Sequence, residues 1–364
     1  MKKRIIPQTE PWLGKEELKH LAESIKNQWI SGGPKLKEFQ EKIAKIFGVK
    51  YAIAVCNGTQ ALYVALKMVD IGPGDEVIVP DFTFIATANA VVWAGAKPVF
   101  IDVDKRTFNI DPAKIEVLIT PKTKAILPVH IYGQSANMPE IMRIAKKHNL
   151  KVIEDAAQGI CVTYQKKAVG SFGEVGCLSF YADKVLTTGE GGMVLTNDDK
   201  LAEKAVILLN QGRTGRGWYI HDHLGYNFRM TDLQAGVGLG QLTKLKEIIR
   251  RRKRNEKLYR KYLANVKEVE FPHEDPEGYK VPFRNLIIVK DPQALLEFLN
   301  NEGVKANRSF YPLHLQPCYK EEAGKSFPNS LYLYEHLLRL PSGTLLKEEE
   351  IKYVCQKIKE FFKK

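Results

Sequence analysis

A lysine that condenses with an aldehyde must offer a neutral amine, which takes partial burial, an anchor for the rest of the aldehyde compound and an acid placed to tune it. The run from Ser179 to Met193, Ser-Phe-Tyr-Ala-Asp-Lys-Val-Leu-Thr-Thr-Gly-Glu-Gly-Gly-Met, sets Lys184 just beyond an apolar stretch and ahead of Gly189, Gly191 and Gly192. Most lysines are solvated surface groups, so this run by itself fits a plain loop as well as a reactive amine. The chain does hold candidate partners. Cys56-Asn57-Gly58-Thr59 reads as a strand-to-helix turn that places the amides of Gly58, Thr59 and Gln60 at a helix N-terminus, where anions are stabilised. The same turn without a ligand is an ordinary capped connection. Asp155 closes a strand-like run and reads either as an acid for the site or as a cap for a following helix.

The elements that must carry these residues follow from hydrophobic spacing. Leu18, Leu21, Ala22 and Ile25 mark a helix over 16–24, and Leu36, Phe39, Ile43, Ile46 and Phe47 mark another that stops at Gly48. Strand-like runs recur at 51–55, 76–79, 98–102, 125–129, 151–154, 175–181 and 192–196. Their alternation with helical or turn segments predicts an α/β fold with a large, mostly parallel sheet covered on both faces. Ligands in such sheets collect at the carboxyl ends of the strands. Asp81 to Phe84, His130 to Tyr132, Asp155 to Gln158 and the pair Ser179 and Lys184 all fall there. Thr231 or Asp232 caps a helix from Leu233 to about Leu245. Gly236, Gly238 and Gly240 inside it follow no strand, so they are no dinucleotide fingerprint. A helical glycine costs about 1 kcal/mol against alanine, so the cluster predicts close packing of another segment, within the chain or across a subunit contact. Beyond it come a long helix to Val266, a strand at 285–289 and helices at 292–302 and 347–362. This texture predicts a large domain over 1–244 and a smaller α/β domain over 245–364.

Composition narrows the function classes. The net charge of +13 favours anionic ligands without choosing among them. The densest basic run, Arg250 to Arg254, has helical neighbours and no nucleic-acid motif beside it, so it reads as a solvated helix face. The five cysteines are scattered and never at metal-ligand spacing, which argues against zinc and disulfides. The basic start from Met1 to Pro7 lacks the apolar core of a signal peptide, and no apolar run is long enough to span a bilayer, so a cytoplasmic protein without membrane or nucleic-acid partners is expected.

Taken together and in this order, Trp29 to Pro34, Asn57-Gly58-Thr59, Gly72 to Val77, Pro80 to Thr87, Glu154 to Gln158, the lysine run and Gly225 to Met230 resemble the DegT/DnrJ/EryC1/StrS family of sugar aminotransferases. The resemblance covers essentially the whole chain. It implies fold type I of the pyridoxal phosphate-dependent transferases, like aspartate aminotransferase, with a large mixed sheet domain and a smaller C-terminal one. It also implies pyridoxal 5'-phosphate carried by Lys184, with Asp155 on its pyridine nitrogen, Phe84 stacked on its ring and Gln158 near its phenolic oxygen. Gly58, Thr59 and Ser179 would hold the phosphate, and Asn227 would reach it from a partner subunit, which makes a homodimer with shared active sites part of the expectation. Tyr181, Arg229 and His314 match positions that face the sugar or its phosphates, and Arg213 with Arg216 would screen a diphosphate. His314 and His130 read equally well as structural histidines.

The implied donor is L-glutamate and the implied acceptor a nucleotide-diphospho-keto-sugar. The run from Thr187 to Met193 is similar to that of enzymes aminating C4 of 4-keto-6-deoxy sugars; C3 amination, a keto-inositol substrate and a non-catalytic sensor of the same fold stay open. Dehydratases of this fold replace the lysine with histidine, whereas this chain has Lys184. One departure is Asp183, where relatives usually carry Thr, Ser or Asn. A carboxylate against the amine would raise the lysine pKa, so Asp183 is expected to face solvent or a basic neighbour.

Overall fold

The computed structural model describes residues 5–215, 219–322 and 324–363. It opens with helices α1 (Lys15–Lys26) and α2 (Pro34–Phe47). Gly48 ends α2 with φ 64, the left-handed conformation that glycine adopts without a Cβ penalty. Strands and helices then alternate: β1 (Tyr51–Val55), α3 (Gly58–Met68), β2 (Glu76–Pro80), α4 (Ala86–Trp93), β3 (Lys97–Ile101), β4 (Thr123–Ile126), α5 (Met138–His148) and β5 (Lys151–Asp155). The short β6 (Thr163–Tyr164) and β7 (Lys167–Ala168) precede β8 (Val175–Ser179), β9 (Gly192–Thr196) and α6 (Asp199–Leu209).

The seven-stranded sheet has the order β1-β9-β8-β5-β4-β2-β3. Every pairing from β8 through β5, β4 and β2 to β3 is parallel, and only β9 runs against its neighbours β1 and β8. β8 and β9 are buried at every residue, as strands covered on both faces must be. The sequence pattern does not reveal α4, because Ala86, Thr87, Ala88, Ala90 and Val91 are all buried and leave no single apolar stripe to detect.

Helix α7 (Asp232–Thr243) lies against α1 and α2. Thr231 caps it, its hydroxyl accepting from the Gln234 amide at 3.2 Å. Its glycines make room for other segments of this chain. A Cβ on Gly238 would stand 2.6 Å from the Phe39 ring, and one on Gly240 would stand 2.8 Å from the Glu17 amide. The close approach gives α1 an unusual burial pattern. Leu18 and Ile25 of its apolar stripe are 67% and 63% exposed, while Glu17 and Ser24 face inward. Polar partners account for this inversion: Ser24 Oγ donates to Asp232 Oδ2 at 3.2 Å, and Glu17 accepts from Gln241 at 2.8 Å and from Lys244 at 3.0 Å.

The remaining elements are α8 (Leu245–Leu263), β10 (Gly278–Tyr279), β11 (Asn285–Ile288), α9 (Pro292–Asn301), β12 (Asn307–Arg308), α10 (Pro328–His336), β13 (Leu337–Leu340) and α11 (Glu348–Phe362). A three-stranded antiparallel sheet, β11-β13-β12, packs its own core with α8, α9 and α11, and Ile6 from the start of the chain enters this second core. Helix α8 crosses between the cores, with Leu245 and Ile248 in the first and Tyr259 and Leu263 in the second. Its basic run is therefore not uniformly solvated. Arg250 is exposed, but Arg252 is buried and donates to the Phe283 carbonyl at 3.0 Å. No helix among the described residues is long and apolar enough to cross a membrane.

The α7 contact generates a test. Gly238→Ala should gain about 1 kcal/mol of helix propensity yet lose more to the clash with Phe39, for a net destabilisation of about 1–2 kcal/mol. Urea unfolding reads the difference, and a variant more stable than the parent would contradict the packing described.

Candidate active site

A cleft of about 580 Å³ opens where the carboxyl ends of β1, β2, β5 and β8 meet Phe283, Arg284, Phe310 and Arg339 from the smaller sheet and its connections. Lys184 lines it. The chain after β8 folds back on Phe180, whose carbonyl accepts the Thr188 amide at 2.9 Å and the Thr187 hydroxyl at 3.0 Å. Val185 and Leu186, which follow Lys184, are buried, and Lys184 itself is half-buried at the cleft. Its Nζ lies 4.6 Å from the centroid of the Phe283 ring. Burial lowers the Lys184 pKa, the Asp183 charge opposes this, Arg284 lowers it further and Asp155 raises it. The net direction is down, toward a neutral amine.

Asp155 ends β5 and is buried, accepting from the Thr87 hydroxyl at 2.8 Å and from the Ala157 amide at 3.1 Å. Burial raises its pKa, and these two hydrogen bonds together with Lys184 and His130 pull it back. No helix begins after Asp155, so the helix-cap alternative falls away. The carboxylate faces the cleft in the company of Lys184.

The anion cradle expected from the sequence falls at the start of α3. Asn57 caps that helix through Oδ1, which takes the Gln60 amide at 2.9 Å; that amide is therefore not free for a ligand. Gly58 and Thr59 precede the first helical bond, from the Ala61 amide to the Asn57 carbonyl at 3.1 Å, and both border the cleft. A Cβ on Gly58 would stand 2.7 Å from that of Ser179. Glycine here keeps open a concavity, floored by Ser179, that any side chain would fill.

Phe84 is 56% exposed on the cleft wall, its ring 6.2 Å from that of Phe310. Gln158 spends its Oε1 on the Tyr132 amide at 2.7 Å, which leaves its Nε2 as the donor at the cleft. Tyr181, 49% exposed, stands at the rim.

Other expected residues lie outside this chain's cleft. His314 is buried with Nδ1 2.7 Å from Asp81 Oδ2, and its amide donates to Asp81 Oδ1 at 2.8 Å; it ties two loops together. His130 is likewise structural, with Nε2 3.0 Å from Glu154 and Nδ1 accepting the Ala136 amide at 3.2 Å. Asn227 and Arg229 are exposed, and Arg229 donates to Asn210 at 3.1 Å. Arg213 is not a lining residue, and Arg216 lies outside the described residues.

Asp183 turns to a basic neighbour: Arg284 donates to its Oδ2. The ion pair holds the carboxylate away from a direct bond with the amine, although its charge still raises the lysine pKa. Sequence reasoning did not single out Thr87, Phe283, Arg284, Phe310 or Arg339. Thr87 closes the Pro80 to Thr87 stretch and was open to notice; the other four sit on the smaller sheet and its connections without a motif to mark them.

Removing the Asp183 charge should lower the Lys184 pKa further, because the neighbouring Arg284 charge acts in the same direction once unopposed. In Asp183→Asn, the midpoint pH for acetylation of Lys184 by acetic anhydride, followed by peptide mass spectrometry, should move down by about one pH unit. An upward shift would show that the carboxylate does not act on the amine as described.

The family model for the DegT/DnrJ/EryC1/StrS aminotransferases matches residues 11–359. The GDP-perosamine synthase of Caulobacter vibrioides is 41% identical over 355 residues, covering 94% of this chain and 94% of the relative. The UDP-N-acetyl-3-dehydro-alpha-D-glucosamine 3-aminotransferase of Acidithiobacillus ferrooxidans is 41% identical over 329 residues, covering 89% of this chain and 87% of the relative. Among solved structures, DesV of S. venezuelae superposes with a TM-score of 0.92 at 33% identity, over 96% of this chain and 95% of that one. The mixed, mostly parallel sheet flanked by helices is thus the fold type I architecture of pyridoxal phosphate-dependent transferases. A lysine, a buried acid and a glycine-lined helix start meet on one rim of that sheet, and the chain that places them there belongs to the DegT/DnrJ/EryC1/StrS aminotransferase family.

Proposed function

We propose that this chain uses pyridoxal 5'-phosphate to move the amino group of L-glutamate onto the C4 keto carbon of a nucleotide-linked 4-keto-6-deoxy sugar. The observation that carries the reading is Lys184, its pKa lowered by burial, on a cleft shared with Asp155, the Gly58 cradle and the exposed Phe84 ring. The lining fits the cofactor. Gly58 and Thr59 supply amides and Ser179 a hydroxyl for its phosphate, the concavity is one that a Cβ would fill, and Phe84 offers an unpaired face for its ring. When bound, the cofactor supplies an electron sink for the carbanion formed at the substrate carbon.

The chain's own groups do the rest. Asp155, held by Thr87 and the Ala157 amide, would pair with the cofactor's ring nitrogen, a cationic partner that would offset the cost of its burial. Gln158 Nε2 donates into the cleft. Lys184 Nζ would take a proton from the donor's amine-bearing carbon and give it up to the bound cofactor, so that the donor leaves as 2-oxoglutarate; the acceptor half-reaction would run the same transfers in reverse. Burial of the amine matters here because only the neutral form can take that proton.

The nucleotide sugar rests on the Caulobacter relative and on a chain whose net charge of +13 attracts a diphosphate. The homodimer rests on exposure: Asn227 and Arg229 point away from their own cleft, and Leu18, Ile25, Trp29 and Ile30 leave apolar surface uncovered. In this reading each chain's Asn227 serves its partner's cofactor phosphate, and the enzyme works in the cytoplasm. Amination at C3 is the second reading, favoured by the equal identity of the Acidithiobacillus 3-aminotransferase.

Borohydride treatment of the yellow enzyme should leave a phosphopyridoxyl group on Lys184, and Lys184→Ala should cost at least about 10³-fold in turnover. A panel of GDP-, UDP- and dTDP-linked 4-keto and 3-keto sugars with L-glutamate, read by mass spectrometry, should show amination of a 4-keto member. Amination of 3-keto members alone would transfer the assignment to the second reading. Light scattering should give a dimer, and Asn227→Ala should weaken cofactor retention by about ten-fold, the loss of a hydrogen bond to a charged group; a monomer with full retention would remove the shared-site part of the reading.

A further inference from the structure

We infer that Thr87, backed by Thr83, is a positioning residue that holds the Asp155 carboxylate as the ionised partner a cofactor ring nitrogen needs. This rests on the pyridoxal phosphate reading above, in which Asp155 serves that nitrogen.

One short stretch carries the arrangement. β2 ends at Pro80 and α4 begins at Ala86, and between them the Thr87 amide closes a turn on the Phe84 carbonyl at 3.1 Å. Phe84 stands on the cleft wall, while Thr87 is fully buried with its hydroxyl 2.8 Å from Asp155 Oδ2. Thr83 Oγ1 lies 3.1 Å from Thr87 Oγ1, and Thr83 also lines the cleft. The aromatic wall and the support of the acid therefore belong to the same turn.

Proton counting fixes the direction of this chain of hydroxyls. An ionised carboxylate only accepts, and a threonine hydroxyl has one proton to give. Thr87 donates to Asp155, so Thr83 must donate to Thr87. Hydroxyls polarised in series strengthen one another where the surroundings screen poorly, and these two are 2% and 0% exposed. A protonated Asp155 would reverse both bonds and leave the Thr83 proton in need of a new acceptor.

The acid depends on such support. Its backbone is fixed, with its amide donating to the Pro128 carbonyl at 2.8 Å and its carbonyl accepting the His130 amide at 3.0 Å. Among the described residues its side chain has two donors, the Thr87 hydroxyl and the Ala157 amide, one on each oxygen. Burial pushes its pKa up, and the Thr87 bond leads the opposing influences, ahead of Ala157, Lys184 and His130. Cys177 on β8 also faces it, but burial drives that thiol well above its ordinary range, so it stays neutral. Glu154, the preceding residue, turns instead to His130 and to the amides of Gly170, Phe172 and Gly173. A hydroxyl suits the task because it is neutral. A cation in its place would satisfy the carboxylate fully and compete with the ring nitrogen for it.

The test compares the parent with Thr87→Val, which keeps the shape and deletes the hydroxyl, with Thr87→Ser, which keeps the hydroxyl, and with Thr83→Val. Each apoenzyme is titrated with pyridoxal 5'-phosphate and with a deaza analogue in which a C–H group replaces the ring nitrogen. Thr87→Val should weaken pyridoxal phosphate binding by about ten-fold, as expected for a lost hydrogen bond to a charged group, and should not weaken binding of the analogue. Thr87→Ser should recover most of the affinity, and Thr83→Val should show the same selective loss in smaller measure. Equal losses for the two compounds, or no loss for either, would overturn the assignment. A second readout needs no cofactor: urea unfolding of the apoenzymes between about pH 5 and pH 8. A carboxyl whose folded pKa is raised costs stability above that pKa, where it is ionised in place, and costs nothing below its unfolded value, where both states are protonated. Deleting the Thr87 hydroxyl raises the folded pKa further, so the deficit of Thr87→Val against Thr87→Ser should grow as the pH rises. A deficit independent of pH would mark packing alone and also overturn the assignment. If Thr87→Val does not fold, Thr83→Val carries both comparisons. If the parent binds neither compound, the cofactor reading fails, and the unfolding profile still decides whether Thr87 holds the acid ionised.

Discussion

Taking one lysine amine out of water is the constraint from which the rest of this structure follows. Water stabilises an ammonium so strongly that an exposed lysine stays charged far above neutral pH. Burial reverses the preference, but it also strengthens every nearby charge, because low-polarity surroundings screen poorly. Lys184 therefore cannot be described apart from Asp183, Arg284 and Asp155. Its own chain neighbour, Asp183, works against it, and the structure answers by engaging that carboxylate with Arg284. The same arginine then adds a positive field that favours the neutral amine.

Burial of this kind needs walls from both sheets. The large sheet delivers Ser179 and Asp155 on the ends of adjacent strands, β8 and β5, so their relative placement is set by strand pairing, and the loop that leaves β8 carries Lys184. The smaller sheet and its connections close the other side with Phe283, Arg284, Phe310 and Arg339. Helix α8 spans the two cores, which ties the walls of the cleft to the packing of both. Polar groups behind the rim do structural work: Glu154 accepts the amides of Gly170, Phe172 and Gly173 as well as facing His130, pinning the loop that follows β7 against the strand that bears Asp155.

Small residues set how closely these parts approach. Gly58 keeps the cradle open above Ser179, and Gly192 lets β9 pass the Asn57 carbonyl, which a Cβ would meet at 2.5 Å. Gly238 and Gly240 perform the same service far from the site, admitting Phe39 and α1 against α7. The outward apolar stripe of α1 is the consequence. Once Glu17 and Ser24 are committed to partners on and just past α7, Leu18 and Ile25 can only face away from the core.

Strand and helix periodicity in the sequence determined the α/β class, most strand positions and the rim on which the site lies. It also marked Lys184, Asp155, Gly58, Thr59 and Ser179 as candidates, because each sits at or just past a strand end or helix start, and the fold brings them to one cleft. Helix α4 escaped because burial on all sides erases its period. The direction in which the α1 stripe faces escaped because hydrogen bonds to Asp232, Gln241 and Lys244 lie more than two hundred residues away in the chain. His314 illustrates the same limit: the resemblance matches it to a substrate-facing position, a structural histidine fits equally well from sequence, and the distant partner Asp81 takes it. Only the tertiary structure decided what faces Asp183 and that Arg284, Arg339 and Arg252 converge behind the lysine. Those contacts join strands and helices whose pairing leaves no trace in local spacing, since charge neutrality in a buried corner is a property of the assembled cleft and not of any segment that forms it.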